Sequence, residues 1–314
     1  MDVYAIPLRT RFRNITVREG LLIRGDAGWG EFCPFSDYSD AESAPWLASA
    51  LEASDRGWPL PVRDSVEVNA TVPVVSPEKA YELVSASGCR TAKVKVADPR
   101  VSLADDCARV EAVRAALGPS GAIRVDANMA WDVDTAVKAI AELDRAAGGL
   151  EYAEQPCPSL EDLAAVRRRV EVRIAADESI RRAEDPLKVA VAGAADVAVL
   201  KVAPLGGVRR ALEVAEACGL PCVISSAVET SVGLAAGLAL AGALPTLDFA
   251  CGLGTMSLLT GDVCGDSLSP VDGRLPVPRQ APEPDLFGAH AASPEVRAAW
   301  EDRFTRVRAH LRML

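Results

Sequence analysis

Three carboxylates each stand at the end of a short apolar run and are followed at once by loop-forming residues. They are Asp126 in AIRVDAN, Glu154 in LEYAEQP and Asp177 in VRIAADES. Three acids crowded around one point repel one another and cannot all ionise in a low dielectric unless a cation lies among them. A set of oxygen ligands without His or Cys favours Mg²⁺, or Mn²⁺, over zinc. The three acids therefore predict a hard divalent metal site.

Three lysines accompany these acids. Lys93 and Lys95 alternate with two valines in TAKVKVA, so both ammonium groups point to the same face of a strand. Lys201 closes a later run, DVAVLKVA. An unpaired ammonium inside a protein loses hydration and its pKa falls, which makes a lysine a usable base near neutral pH. We expect two lysines to face each other over the metal.

Histidine cannot provide this chemistry. The two histidines, His290 and His310, lie in the C-terminal tail, away from every predicted strand end. No Ser-His-Asp triad and no His-ligated zinc is expected, and we expect the general base to be a lysine. The pair Gly206-Gly207 after Lys201 could bind a phosphate, but a tight turn is the simpler interpretation.

The carboxylates and lysines need a scaffold that brings strand ends together. From about Ser65 onward, short β-branched runs alternate with helical stretches that open on signals such as Ser76-Pro77-Glu78 and Ser102. Eight such runs are present: VEVNATVPV, TAKVKVA, AIRVDAN, LEYAEQP, VRIAADES, DVAVLKVA, PCVISS and TLDFACG. Eight βα units at near-regular spacing predict an α/β fold, a (β/α) barrel of the TIM type, whose catalytic residues sit at the C-terminal ends of the strands.

The flanks lack this rhythm. We predict that residues 1–64 form an α+β layer, with strands at Val3–Leu8, Ile15–Ile23 and Gly28–Phe32 and a helix at Asp40–Ser54. Residues 65–267 would form the barrel. Residues 268–314 begin with a proline-rich stretch and end in a helix opened by Ser293-Pro294, and we expect this tail to complete a capping domain with the N-terminal layer.

Composition excludes several classes of protein. The chain has 314 residues, 34 Lys+Arg against 44 Asp+Glu and a net charge of −10, which argues against nucleic-acid binding. The longest apolar run, Val232 to Leu244, is too short to cross a bilayer and predicts no membrane partner. The eight scattered cysteines are interpreted as reduced thiols in the core of a cytoplasmic protein. The oligomeric state is left open.

The order of these residues, Lys-x-Lys, Asp, Glu, Asp and Lys on successive strands, resembles the enolase superfamily in its muconate-lactonising-enzyme branch. The resemblance implies that Asp126, Glu154 and Asp177 hold Mg²⁺ and that Lys95 is general base and then general acid. It implies that Lys93 supports Lys95. It also implies that Lys201 stabilises the intermediate from the opposite face.

Within that branch, the chain is similar to one group of dehydrating enzymes. The similarity lies in the motifs RVDAN, AEQP, ADES, LKVAPLGG and SSAVETSVGLAAGLALA. They imply dehydration of 2-succinyl-6-hydroxy-2,4-cyclohexadiene-1-carboxylate in menaquinone biosynthesis, with a loop around Thr10 to Asn14 closing over the site. Arg124 would lie near the substrate's carboxylate. The other residues assigned to the substrate, chiefly to its succinyl arm, are Asn128, Ser225, Ser226, Gly252 and Gly254. The tail departs from the branch at RQAPEPDLF, which leaves the docking of the cap open.

Other functions share these features. Reprotonation by Lys201 on the opposite face would make the chain an N-succinylamino acid racemase or another epimerase of the superfamily. A dipeptide epimerase is disfavoured because Ala250 to Gly254 lacks the Asp-x-Asp pair that binds an ammonium. Outside the superfamily, Lys201 could serve a Schiff-base aldolase, and a non-catalytic binding protein could keep the barrel. Neither has a use for three carboxylates around a metal.

Overall fold

The computed structural model describes residues 2–12, 15–181, 189 and 192–311. Its N-terminal part is an antiparallel sheet of three strands, β1 (Asp2–Phe12), β2 (Ile15–Gly25) and β3 (Gly28–Phe32), followed by helix α1 (Asp40–Leu51). Ser39 opens α1 with a capping box to Glu42. The predicted strands and helix are confirmed, with β1 and β2 longer than expected. Of the predicted loop at Thr10 to Asn14, residues 10–12 belong to β1 and residues 13–14 lie outside the described residues.

Eight parallel strands form the barrel. The strands are β4 (Ser65–Val72), β5 (Thr91–Lys95), β6 (Ala122–Asp126), β7 (Tyr152–Glu154), β8 (Ile174–Ala176), β9 (Val197–Leu200), β10 (Cys222–Ile224) and β11 (Cys251–Gly254). They pair in chain order from β4 to β10, β11 pairs with β4, and a bridge between Ser225 and Gly252 closes the ring. The eight-stranded barrel expected from the sequence is confirmed, although its last strand begins later than the TLDFACG run.

Helices follow the strands and cover the outside of the barrel. They are α2 (Pro77–Ser87), α3 (Leu103–Leu117), α4 (Val133–Ala147), α5 (Leu160–Arg167), the short α6 (Glu178–Arg181) and α7 (Val202–Leu205), then α8 (Val208–Cys218) and α9 (Ser231–Ala243). Ser76 and Ser102 cap α2 and α3 as the sequence predicts. Val94 of β5 and Val96, the residue after the strand, are buried in the layer between strands and helices, so Lys93 and Lys95 point into the barrel.

The C-terminal tail contacts both parts of the molecule. Strand β12 (Arg274–Pro276) pairs antiparallel with the start of β4 at the bottom of the barrel. The chain then reaches β1, where Ala292 donates its N–H to the carbonyl of Val3, and ends in helix α10 (Pro294–His310). Trp300 of α10 packs edge-on against Phe32 of β3 at 5.9 Å between ring centroids. The division into residues 1–64, 65–267 and 268–314 stays a prediction.

Two buried carboxylates from the N-terminal layer bind the N-termini of barrel helices. Glu52 accepts backbone N–H groups of Val208 and Arg209 at the start of α8. Glu31 does the same for Thr230 and Gly233 at the start of α9. A carboxylate at a helix N-terminus pairs with free N–H groups and with the positive end of the helix dipole. Glu52 therefore occupies the backbone site beside Gly206-Gly207 that the sequence offered as a possible phosphate loop.

Gly207 is required for this contact, and we expect Gly207→Ala to be destabilising. Its φ of 121° is unfavourable for a residue with a side chain, and an added Cβ would lie 2.2 Å from Oε2 of Glu52. The cost should be about 1–3 kcal/mol of unfolding free energy, measured by urea denaturation. Gly118→Ala is the matched control, because Gly118 also combines a positive φ (71°) with an extended ψ (−178°), and an added Cβ there would have nothing within 4 Å. Equal losses in the two variants would show that the contact with Glu52 contributes nothing.

Among the described residues, no helix is both long and apolar enough to cross a lipid bilayer. All eight cysteines fall within the described ranges, and none of them forms a disulfide bond there. The interpretation of the cysteines as reduced thiols is therefore consistent with the structure.

Candidate active site

The ionisable residues singled out in the sequence meet at the C-terminal ends of the barrel strands. Lys95, Asp126 and Glu154 are direct partners across β5, β6 and β7, so their side chains stand at one level inside the barrel. Asp177 directly follows β8, and Lys201 directly follows β9. Because β9 is four strands from β5 in a ring of eight, Lys201 lies on the opposite wall from Lys95.

Each lysine is paired with a carboxylate. Nζ of Lys93 lies 2.8 and 2.9 Å from the two carboxylate oxygens of Glu154 and 3.4 Å from Asp126. Nζ of Lys95 donates to Asp126 at 2.5 Å, and Lys201 donates to Asp177. The expectation of unpaired lysines is wrong for this structure, because each ammonium pairs with an acid from another strand: the closest acid lies one strand away for Lys95 and Lys201 and two strands away for Lys93. These pairs neutralise acids that would otherwise repel.

The pairing sets the electrostatics of the site. Burial would lower the pKa of Lys93, but the carboxylates of Glu154 and Asp126 raise it above its usual value. Burial would raise the pKa of Asp126, but Lys95 and Lys93 hold it well below its usual range. Burial and the charge of Asp126 raise the pKa of Glu154 to about 7, against the opposing effect of Lys93. The sequence-based expectation of a lowered lysine pKa is therefore wrong for Lys93.

The three acids have the donor chemistry of a hard-metal site. Asp126, Glu154 and Asp177 are each only 1% exposed, and the metal-binding atoms of their side chains are all oxygens. Within the ranges that the structure describes, no three acids, histidines or cysteines are already grouped as metal ligands, because the acids are engaged with ammonium groups. Three buried carboxylates need positive charge in any state, and a divalent cation suits them.

The backbone at these strand ends is unusual. Ala97, Asn128, Gln155 and Val228 all have φ between 40° and 64° although none is glycine, and each lies one to four residues beyond a barrel strand. Strained backbone of this kind clusters at functional sites, where surrounding contacts hold it. Gln155 shows how: its amide oxygen accepts the N–H of Asp177 at 2.9 Å and so fixes one acid to the end of the neighbouring strand.

A cavity of about 30 Å³ lies over the lysines. Phe12 and Phe35 from the N-terminal layer form part of its wall, and the ring of Phe12 lies 5.3 Å from Nζ of Lys95. The remaining lining residues are Thr71, Lys93, Lys95, Asn128, Lys201, Ser225, Ser226, Ala227, Val228, Gly252 and Thr255. The cap layer and the barrel therefore jointly enclose the three lysines.

Most of the residues assigned to the substrate lie at this cavity. Ser225, Ser226, Gly252 and Asn128 line it, and the side-chain oxygen of Asn128 accepts from Nζ of Lys95 at 2.8 Å. An added Cβ on Gly252 would lie 2.6 Å from Oγ of Ser225, so glycine leaves room for that hydroxyl. Gly254 is outside the lining. Its missing side chain allows close approach to the carbonyl of Asn69 on β4.

Arg124 lies deeper in the barrel than the cavity. Its guanidinium contacts Glu151 at 2.5 Å, Asn69 at 3.1 Å and the carbonyl of Ala250 at 2.7 Å, and it stacks over Tyr152. The side chain is fully buried, and among the described residues Nη2 has no hydrogen-bond partner. The predicted contact of Arg124 with the substrate's carboxylate stays a prediction.

Some residues at the site were not identified from the sequence. Thr71 follows Asn69 by two positions on β4, so the alternation that placed the lysines could have placed it as well. Glu178, 3% exposed, accepts from Nδ2 of Asn128, and its position beside Asp177 in ADES was the available signal. Phe35 follows the last strand of the cap layer, and no local pattern in the sequence relates it to a barrel cavity.

Two family models match the chain. The model described as "Enolase N-terminal domain-like" matches residues 3–54, and the one described as "Enolase C-terminal domain-like" matches residues 76–282. Among solved structures, the L-Ala-D/L-Glu epimerase from Bacillus subtilis superposes with a TM-score of 0.74 at 26% identity, covering 89% of this chain and 95% of that one. A dipeptide epimerase from Enterococcus faecalis, complexed with Mg and the dipeptide L-Leu-L-Tyr, gives 0.76 at 25% identity, covering 89% and 96%.

Two relatives of higher identity carry the same name. The o-succinylbenzoate synthase of Thermobifida fusca is 63% identical over 98% of this chain and 95% of its own length. The o-succinylbenzoate synthase of Mycolicibacterium smegmatis is 55% identical over 96% and 93%. Identity at this level over nearly the whole chain, together with both enolase family models, establishes the relationship. The chain belongs to the o-succinylbenzoate synthase family of the enolase superfamily.

Proposed function

We propose that this lyase removes water from 2-succinyl-6-hydroxy-2,4-cyclohexadiene-1-carboxylate and forms o-succinylbenzoate. The observation that carries the proposal is the cavity with Lys95 and Lys201 on opposite walls and three buried acids at the same strand ends. A proton next to a carboxylate is weakly acidic. Its removal needs a base and positive charge for the resulting dianion, and these residues can supply both.

The superfamily's enzymes depend on a divalent metal ion, and we propose Mg²⁺, with Mn²⁺ as an alternative, for this chain. Asp126, Glu154 and Asp177 would hold the ion, because they are the buried oxygen donors nearest the lysines. When bound, the cation draws electron density from the substrate's carboxylate and so acidifies the neighbouring proton. The Enterococcus epimerase, whose structure contains Mg, has the same fold, which supports this choice of metal.

Lys95 would carry out both proton transfers of the dehydration. As a neutral amine it accepts the α-proton, and the C–H bonding pair moves toward the carboxylate. As an ammonium it then returns that proton to the leaving hydroxyl on the same face, so one water departs and the ring becomes aromatic. Phe12 covers Lys95 at 5.3 Å and would shield the amine from bulk water until the substrate displaces the ring.

The other two lysines would contribute charge. Lys201 faces the substrate from the wall opposite Lys95 and would stabilise the dianion. Lys93 lies two residues below Lys95 on the same strand and holds both oxygens of Glu154. Lys93 would therefore orient an acid of the metal site and raise the positive potential around Lys95.

Ser225 is the better candidate of the two serines for the succinyl arm. The hydroxyl of Ser226 already donates to Glu229 at 2.6 Å and accepts from Val228 and Thr255 at 2.7 and 2.8 Å. Its bonding capacity is therefore used within the protein. We propose that Ser225 donates to the succinyl group and that Ser226 shapes the loop around it.

The cavity must open for this substrate. A volume of about 30 Å³ holds about one water molecule and not a ring that carries a succinyl arm. Phe12 and Phe35 belong to the cap layer, so their displacement would enlarge the cavity while the barrel strands stay in place. We propose that the substrate enters by displacing these two rings.

N-succinylamino acid racemisation is the second candidate activity. The placement of Lys201 across the cavity from Lys95 favours it, because racemisation needs a proton donor on each face of the carbanion. Its substrate also carries a carboxylate and a succinyl arm. The residues around the cavity would serve either reaction, so the assay has to include both substrates.

The test is to assay the chain with the cyclohexadiene carboxylate and, separately, with N-succinylamino acids. We expect dehydration to be the faster reaction and to fall at least about 100-fold with excess EDTA, with recovery on addition of Mg²⁺. Full activity after exhaustive chelation would exclude the metal. Racemisation at a higher kcat/KM than dehydration would make the second candidate the main activity.

Glu154→Gln should weaken metal binding and turnover together. The amide keeps the shape of the side chain but removes the charge that balances the cation. We expect the affinity for Mn²⁺, measured by equilibrium dialysis, to fall by more than it does when a residue that only hydrogen-bonds to a metal ligand is lost. Such a loss typically costs about 10- to 100-fold in affinity. Glu161→Gln, at an exposed acid in the first turn of α5, is the matched control. Unchanged Mn²⁺ affinity in Glu154→Gln would remove Glu154 from the metal site.

A further inference from the structure

A buried ion pair outside the cavity lies behind the strand that carries Lys95. Asp106 and Arg109, one turn apart on helix α3, are 2% and 1% exposed and lie 2.6 Å apart. Neither residue lines the cavity. Two charges removed from water cost more than they return in stability unless their remaining bonds are also satisfied. The other partners of the pair therefore indicate what it does.

Asp106 binds the backbone just beyond Lys95. Its Oδ2 accepts the N–H of Ala97 at 2.8 Å. Ala97 has a φ of +64°, a left-handed conformation that alanine rarely adopts without support. This turn comes two residues after Lys95 and ends the strand. The charge-assisted bond from Asp106 holds the chain in that turn.

Arg109 binds the backbone of Lys95 itself. Its Nη1 donates to the carbonyl of Lys95 at 3.4 Å, and its Nε donates to the carbonyl of Val75 at 3.0 Å. Val75 follows β4, so one guanidinium joins the ends of two neighbouring barrel strands. On the other side of β5, the backbone hydrogen bonds to β6 end with the bond from the N–H of Val96 to the carbonyl of Asp126, at 3.1 Å. Asp106 and Arg109 fix the strand end where regular sheet bonding stops.

We propose that Asp106 and Arg109 are positioning residues for Lys95: together they hold the backbone on both sides of the base and so direct its side chain into the cavity. The inference rests on the proposed function, in which Lys95 moves the proton. A displacement of about 1 Å in a reacting group can cost about 100-fold in rate. Residues that touch neither substrate nor metal can therefore have a large effect on kcat.

Arg109→Lys tests the inference while keeping a positive charge opposite Asp106. A lysine cannot reach the carbonyls of Lys95 and Val75 at once, so the strand end should loosen. We expect kcat for dehydration to fall about 10- to 100-fold, with KM and Mn²⁺ affinity within about twofold of the wild type. The primary deuterium isotope effect at the α-carbon should rise, because proton transfer alone is slowed.

Arg114→Lys is the matched control. Arg114 lies on the same helix and also donates to backbone carbonyls, those of Ala147, Gly118 and Gly121, at the end of the helix away from the site. This variant loses a comparable set of hydrogen bonds from a guanidinium to backbone carbonyls without affecting Lys95. We expect it to keep the wild-type kcat and isotope effect, even where its melting temperature falls as much as that of Arg109→Lys.

A second pair of variants decides the question if Arg109→Lys folds poorly. Asp106→Asn weakens the hold on Ala97, and adding Ala97→Gly lets the chain adopt the left-handed turn without that help. The double variant Asp106→Asn/Ala97→Gly should recover at least about a third of the kcat lost in Asp106→Asn, measured on folded protein. Wild-type kcat in Arg109→Lys or in Asp106→Asn, or equal losses in Arg109→Lys and Arg114→Lys, would overturn the inference. An inactive wild type would instead refute the proposed function.

Discussion

Replacing Lys95 by alanine should abolish both dehydration and exchange of the α-proton with solvent. Lys95 lies in the cavity wall, and the two histidines, which could act as alternative bases, lie in the tail. General base catalysis accounts for about 10²- to 10⁴-fold in rate, and here the same group also delivers the proton to the leaving hydroxyl. We expect a loss at or beyond the upper end of that range.

Dehydration is followed by the formation of the aromatic product, and exchange by the loss of the α-proton signal in heavy water. Lys79→Ala is the matched control, since Lys79 is an exposed lysine of α2 that pairs with Glu82 at the surface. Metal binding provides a second control, because Asp126, Glu154 and Asp177 remain in place. Exchange that continues at the wild-type rate in folded Lys95→Ala would mean that another group removes the proton.

The barrel could be predicted because its signals are local and repeated. Alternation of Lys93 and Lys95 with valines fixed which side chains face inward, and eight runs with intervening helices defined the ring. The strands are shorter than the apolar runs that predicted them. β8, for example, has three residues, because parallel pairing stops where Asp177 turns into the loop. Hydrophobicity alone does not mark that point.

The contacts between distant parts of the chain could not be predicted in the same way. Glu52 reads as an ordinary acid at the end of a helix, yet it binds the start of α8, 156 residues further along the chain. Phe12 and Phe35 form part of the active-site wall only because the cap layer docks on the barrel. The pairing of each lysine with an acid depends on which strands are neighbours, and reasoning about each strand by itself predicted lysines without partners.

The division of labour between Lys95 and Lys201 gives the most discriminating prediction. The two lysines approach the substrate from opposite walls, so in a dehydration on one face only Lys95 needs to exchange a proton. Arginine keeps a positive charge but does not readily lose a proton. Lys201→Arg should therefore keep measurable dehydration activity, whereas Lys95→Arg should be as inactive as Lys95→Ala.

The two arginine variants are compared in parallel, with dehydration and racemisation of an N-succinylamino acid measured on each. Racemisation needs proton transfer on both faces, so any such activity of the wild type should be lost in both variants. Mn²⁺ affinity serves as the check on folding. A guanidinium at position 201 can keep the ion pair with Asp177, so the affinity should be similar in the two variants. Equal dehydration rates in Lys201→Arg and Lys95→Arg, or racemisation that survives in either variant, would mean that the roles assigned to the two lysines are wrong.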